Sequence, residues 1–182
     1  MRFLVYGRDG EKFDYGPNDL DEAHQSYMDG WLPVMIGRGP TLSPDGAHHT
    51  GSVHVIEVDD IVVARRFATE EPYASAGWYG EVSVWPMRSL TEGTMWDRPR
   101  PAQAQASSFL LVRWAAQAVD EARFARLPWL FGGLLLDENG DSVGVAGALD
   151  LAPGAARELL RDLPGPVEAH RWARGGRPDP SA

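Results

Sequence analysis

The order in which extended and helical segments follow one another is what most restricts the fold of this chain. Arg2 to Arg8 is a run of β-branched and aromatic residues that closes on Gly7-Arg8-Asp9-Gly10, a first strand. A loop through Gly16-Pro17 leads to Asn18, a favoured N-cap, with Asp19, Asp21 and Glu22 in the first turn, where the helix dipole favours acids. The spacing predicts a helix over 19–29, with Leu20, Ala23 and Tyr27 on one stripe and His24 beside it. Pro33 excludes helix, and Val34-Met35-Ile36 begins a second strand that Gly39-Pro40 closes. After the turn Ser43-Pro44-Asp45-Gly46, residues 51–58 alternate as a strand with one buried face. Asp59 or Asp60 caps a helix over 61–68, and Glu81 to Trp85 alternates as a strand ended by Pro86. The order is βαββαβ, a four-stranded antiparallel sheet with both helices on one face. The other face needs a partner sheet, so dimerisation or duplication is expected.

The pattern stops between Leu90 and Gln105, where Arg98-Pro99-Arg100-Pro101 and an Ala/Gln run predict a linker. It then restarts. Phe109-Leu110-Leu111-Val112 echoes Phe3-Leu4-Val5-Tyr6, Asp120-Glu121-Ala122 echoes Asp21-Glu22-Ala23, and Trp129-Leu130 echoes Trp31-Leu32. A strand over 143–151, a helix opened by Pro153 and a last strand over 167–172 complete a second unit. The expectation is an α+β chain of two ferredoxin-like βαββαβ units, the second a shorter and degenerate repeat. They pack sheet to sheet as an intramolecular pseudo-dimer. The boundaries fall at 1–90 for the first unit, 91–106 for the linker, 107–176 for the second unit and 177–182 for a tail. A further homodimer of whole chains is left open.

Composition narrows the function. With 26 acidic and 17 basic residues the formal charge is −9, which argues against a nucleic-acid or anionic-membrane partner. There is no cysteine, so disulfides, zinc thiolates and a thiol nucleophile are excluded. No apolar run nears the roughly 20 residues that span a bilayer, and a cytoplasmic location is expected. His48-His49 with His54 suggests a metal set. The adjacent pair lies on a Gly/Ser/Pro loop without convergent geometry, so no metal is expected.

One stretch is more specific than the rest. Glu71-Pro72-Tyr73-Ala74-Ser75-Ala76-Gly77-Trp78-Tyr79 stands between the second helix and fourth strand, with a histidine in the first helix (His24) and Gly39-Pro40 after the second strand. With the opening strand, these features resemble the YCII-related (YciI-like) family of the dimeric α+β barrel superfamily over about the first ninety residues. The second half resembles it in layout alone. The family signature reads Asp-Pro where this chain has Glu71-Pro72. The resemblance implies a cleft at the open end of the barrel in which the helix-1 histidine faces that carboxylate. Some relatives eliminate chloride from ring-derived intermediates, and neighbouring families isomerise lactones or oxygenate aromatics without metal or flavin. Carried over by position, the catalytic candidates are His24 and Glu71, with no cofactor.

An imidazole oriented by a carboxylate is suited to proton transfer near neutral pH. Arg38 is the candidate for a substrate carboxylate, and Tyr73 and Trp78 for the pocket wall, although Trp78 and Tyr79 would equally serve a core. The second unit has no matching pair: Arg123 or a neighbour falls at the place of His24, and Leu163 precedes Pro164 where Glu71 precedes Pro72. Two readings follow. One is a cofactor-free lyase or isomerase acting on a small cyclic or carboxylated metabolite. The other is a non-catalytic module that binds a small molecule or a protein.

Overall fold

The computed structural model describes residues 1–14, 19–99, 107–163 and 165–176. Eight strands form a closed barrel: β1 (Arg2–Asp9), β2 (Met35–Leu42), β3 (His49–Glu57), β4 (Tyr79–Ser89), β5 (Ser107–Arg113), β6 (Trp129–Leu136), β7 (Ser142–Leu149) and β8 (Val167–Trp172). Around the barrel they run β1-β3-β2-β8-β5-β7-β6-β4, every neighbouring pair antiparallel. The helices are α1 (Asp19–Gly30), α2 (Ile61–Glu70), α3 (Pro72–Ser75), α4 (Glu121–Ala125) and α5 (Pro153–Leu159). The element order is thus βαββαβ twice, with the extra turn α3 in the first unit. Two short seams close the barrel: Thr41 and Leu42 against Trp172 and Arg171, and Met87 to Ser89 against Leu135 to Gly133.

Strand alternation divides the apolar residues into an interior and two outer layers. Leu4, Tyr6, Val53 and Val55 of the first unit meet Phe109, Leu111, Phe131 and Trp172 of the second inside the barrel. Phe3, Val5 and Ile56 face outward and pack with Met28, Ala64 and Phe67 under α1 and α2. Leu110, Val112 and Val145 do the same with Phe124, Ala156 and Leu160 beneath α4 and α5. This is the expected pseudo-dimer of sheets, of the dimeric α+β barrel type. Among the described residues no helix is long and apolar enough to cross a membrane.

Several local expectations are corrected. The buried line of α1 is His24 and Met28, four residues apart, whereas Ala23 is exposed. Gly39-Pro40 lies inside β2, because Gly39 presses against the chain that follows β8, where a Cβ would stand 2.0 Å from the Ala173 carbonyl. Pro86 lies inside β4. It pairs with Phe3 on one side, and the other edge of β4 stays unpaired until Met87, so the missing N–H interrupts no ladder there. The expected linker is in part core, since Met95 sits on a 3₁₀ turn, 1% exposed, in the barrel interior. Asp60 is the residue that caps α2, and the Asn18 cap lies outside the described residues.

Because Phe109 joins the two halves through an edge contact with Tyr6 (5.1 Å between centroids), it tests their unity. Phe109→Ala should cost about 3–5 kcal/mol. In urea the whole chain should still unfold in one transition at a lower midpoint. Two separated transitions would mean that the units fold independently.

Candidate functional site

Glu71 shapes the site through its backbone position. It ends α2 and caps α3, whose first residue is Pro72, a residue that needs no N–H there. Its Oε1 accepts from the Tyr73 N–H (3.1 Å) and its Oε2 from the Ala74 N–H (2.9 Å). A carboxylate fixed by two backbone donors then takes a third, the Nδ1–H of His24, in a short hydrogen bond. Both residues are buried, Glu71 to 2% exposure. Because Nδ1 faces an acceptor, the lone pair of the neutral ring is left on Nε2. The Tyr73 ring stacks on His24 at 4.3 Å with an interplanar angle of 4°, and its hydroxyl donates to Asp21 (2.6 Å). Burial first, and then that carboxylate, push the Tyr73 phenol well above its ordinary pKa, so it stays protonated.

His24 and Tyr73 form one side of a cleft of about 120 Å³; Arg38, His54, Ser52 and His49 form the other. Arg38 and His54 are cross-strand partners on β2 and β3. Since Val53 and Val55 point into the barrel and Ile56 into the helix layer, Ser52 and His54 stand on the helix-covered face. The cleft therefore lies between the sheet and the helix layer, not in the barrel lumen. Arg38 is 4% exposed and its Nη2 donates to Asp29 (3.0 Å). Its Nε and Nη1 are buried and, among the described residues, have no hydrogen-bond partner; the Gln25 Oε1 beside the cleft is in the same position. Burial above all, with the neighbouring Arg38 cation adding to it, holds the His54 imidazole well below its ordinary pKa and so neutral.

Of the five residues singled out in the sequence, His24, Arg38 and Tyr73 line the cleft, while Glu71 supports it from behind. Trp78 is stacked on the far side of Tyr73 (5.1 Å, 19°) and does not line it. Ser52, His54 and His49 also line the cleft, although the sequence pointed to the two histidines only as part of a metal set and to Ser52 not at all. His54 read as the polar side of an alternating strand, whereas that side faces the helices. His49 read as half of a loop pair, yet it belongs to β3, and its Nδ1 lies 2.8 and 3.0 Å from the two Asp9 carboxylate oxygens. Only the pairing of β1 with β3 brings Asp9 there. Among the described residues no group of three side chains is placed to hold a metal ion.

Residues 1–88 match the family model of the YCII-related domain. No curated protein matches the sequence. Among solved structures, 5-chloro-2-hydroxyhydroquinone dehydrochlorinase of Burkholderia phenoliruptrix AC1100, in complex with 2,5-dihydroxybenzoquinone, is 24% identical. The match covers 48% of this chain and 94% of that one, with a TM-score of 0.39. A proposed monooxygenase of Lactobacillus acidophilus NCFM is 8% identical, covering 95% of this chain and 93% of that one, with a TM-score of 0.48.

The neutral His54 predicts a pH dependence of stability. A histidine whose folded pKa lies below its unfolded value binds fewer protons in the native state, so stability is complete above pH about 6.5 and falls as the pH drops below it. His170, also held low by burial, adds to the same trend. The thermal midpoint should therefore fall as the pH is taken below about 6.5, and less steeply in His54→Gln. An equal slope in that variant would remove His54 as the cause.

Proposed function

From the match of residues 1–88 to the YCII-related domain model we propose that the cleft is the active site of a cofactor-free enzyme that moves protons on a small anionic metabolite, as a lyase or isomerase. The observation that carries this reading is the orientation of His24. Its Nδ1 is held by a carboxylate that is itself fixed by two backbone N–H groups, which leaves Nε2 to act as base and then as acid. Arg38 adds a buried cation with two nitrogens that have no hydrogen-bond partner among the described residues, a demand that a substrate carboxylate or enolate oxygen would meet. At about 120 Å³ the cleft is smaller than the cavity of about 150 Å³ that accommodates benzene, so it would enclose only the reacting part of a compact molecule.

In this scheme His24 Nε2 takes a proton from a carbon next to a carbonyl, and the electron pair passes to the carbonyl oxygen, facing the charge of Arg38. Return of the proton to a different carbon gives isomerisation. Departure of a leaving group from the β-carbon gives elimination. His54 and the Tyr73 phenol are neutral and add hydrogen-bonding groups without adding charge. Glutamate in place of aspartate suits the dual task of Glu71, because the longer side chain both caps α3 and reaches α1.

Incubation with a panel of small cyclic and unsaturated keto acids in heavy water, followed by proton NMR, tests the reading. At least one compound should exchange a carbon-bound proton or change its double-bond position. His24→Asn should slow this about 10²–10⁴-fold, while Arg38→Met should chiefly raise KM. Binding without exchange would overturn the enzyme in favour of a binding module, and exchange indifferent to His24→Asn would remove His24 as the base.

A further inference from the structure

A second arrangement in the same cleft has a chemistry that the His24–Glu71 pair does not use. Asp9 ends β1, and His49 and Ser52 stand in the first half of β3, brought to it by the pairing of Gly7 with Ser52 and Arg8 with Gly51. His49 Nδ1 is within 2.8 and 3.0 Å of the two Asp9 oxygens, and its Nε2 is 3.2 Å from Ser52 Oγ. An ionised carboxylate only accepts, so the ring carries its proton on Nδ1, and the Nε2 lone pair accepts from the Ser52 hydroxyl. The Asp9 carboxylate is buried, at 6% exposure. The Phe13 ring stacks on His49 at 4.7 Å and 11°, which fixes the imidazole plane.

We propose that Ser52, His49 and Asp9 are a nucleophile, its base and the base's orienting group, and that the chain transfers acyl groups from small esters or lactones. Separations of 2.6–3.2 Å between nucleophile and base, with the base held by a third group, are the geometric signature of an activated hydroxyl whatever the fold. Ser52 and His49 both line the cleft, as does Arg38, whose charge opposes the negative oxygen of a tetrahedral intermediate. Ser52 Oγ attacks the carbonyl carbon as its proton passes to His49 Nε2, and the ring's positive charge is balanced by Asp9. Collapse expels the alcohol, which takes the proton from Nε2. Water then attacks the acyl-serine, gives its proton to Nε2, and releases the acid as Ser52 recovers its hydrogen. The sum is ester plus water to acid plus alcohol. This activity goes beyond the proton-transfer reading and does not depend on it.

The test uses the full chain with p-nitrophenyl acetate, followed by peptide mass spectrometry. The expected result is a burst of p-nitrophenolate stoichiometric with protein and an acetyl group on Ser52. Ser52→Ala should abolish the burst, and Asp9→Asn should slow it at least about a hundredfold. Acetylation elsewhere, or a burst that survives Ser52→Ala, overturns the proposal. S52C gives a second readout that needs no substrate, because the chain has no other thiol. A thiol paired with His49 should be alkylated by iodoacetamide at mildly acidic pH at least about tenfold faster than in the S52C/H49N double variant. Equal rates would reduce Ser52 to a structural partner of the imidazole and sink the triad.

Discussion

A four-stranded antiparallel sheet with helices on one face leaves an apolar face that water does not tolerate, and covering that face organises everything else in this molecule. The two sheets cover one another by closing into a single barrel, so interior positions such as Tyr6 and Val53 are answered by Phe109 and Phe131 from the other half. Once the interior is assigned, the two-residue period of each strand leaves no choice for the remaining side chains. Ser52 and His54 must face the helices because Val53 and Val55 face the lumen. The polar cleft is thus a consequence of barrel closure. Polar side chains gather where the outer layer parts between α1, α3 and the β2–β3 edge.

Within that layer the placement of Glu71 couples local backbone geometry to chemistry. Pro72 directs the chain into α3, and the turn exposes backbone N–H groups that need an acceptor. The carboxylate that supplies it is thereby immobilised, and the same group aligns His24. Replacing Glu71 would loosen the turn and the imidazole together. Arrangements of this kind give a precise base at low entropic cost, because the ordering has already been done by the fold. Asp9 repeats the principle for His49 at the end of a strand, held by the β1–β3 register.

The architecture was legible in the sequence because strand and helix periodicities differ and turn residues punctuate them. The same property made the restart at residue 107 visible. His24 and Glu71 were legible through a spacing that resembles a known family, and Arg38 through its place beside Gly39-Pro40. What stayed hidden depends on pairing across the fold. Asp9 and His49 are forty residues apart and meet only in register, and the polar face of residues 52–54 looks solvent-facing until the barrel assigns the other face to the interior. Gly39-Pro40 and Pro86 misled for the opposite reason. Breaker residues end isolated strands, whereas here close approach and an unpaired edge accommodate them.

The two halves are unequal partners in the cleft, and the inequality has a structural origin. After β8 the chain runs along β2, with the Ala173 N–H donating to the Pro40 carbonyl (3.2 Å) and the Gly175 N–H to that of Arg38 (2.9 Å). Arg174 fastens this segment through Met95, Arg98, Pro99 and Asp150. Gly175 and Gly176 then line the cleft beside Arg38, where only a glycine comes so close to β2: a Cβ on Gly175 would stand 2.8 Å from the Gly39 Cα. The first unit supplies the titratable groups, and the second completes the wall that keeps the Arg38 guanidinium buried beside its Asp29 partner. A first unit alone would leave that cation hydrated and weaker toward an anion. The covering of an apolar face and the preparation of a polar site are accomplished by the same contact between halves.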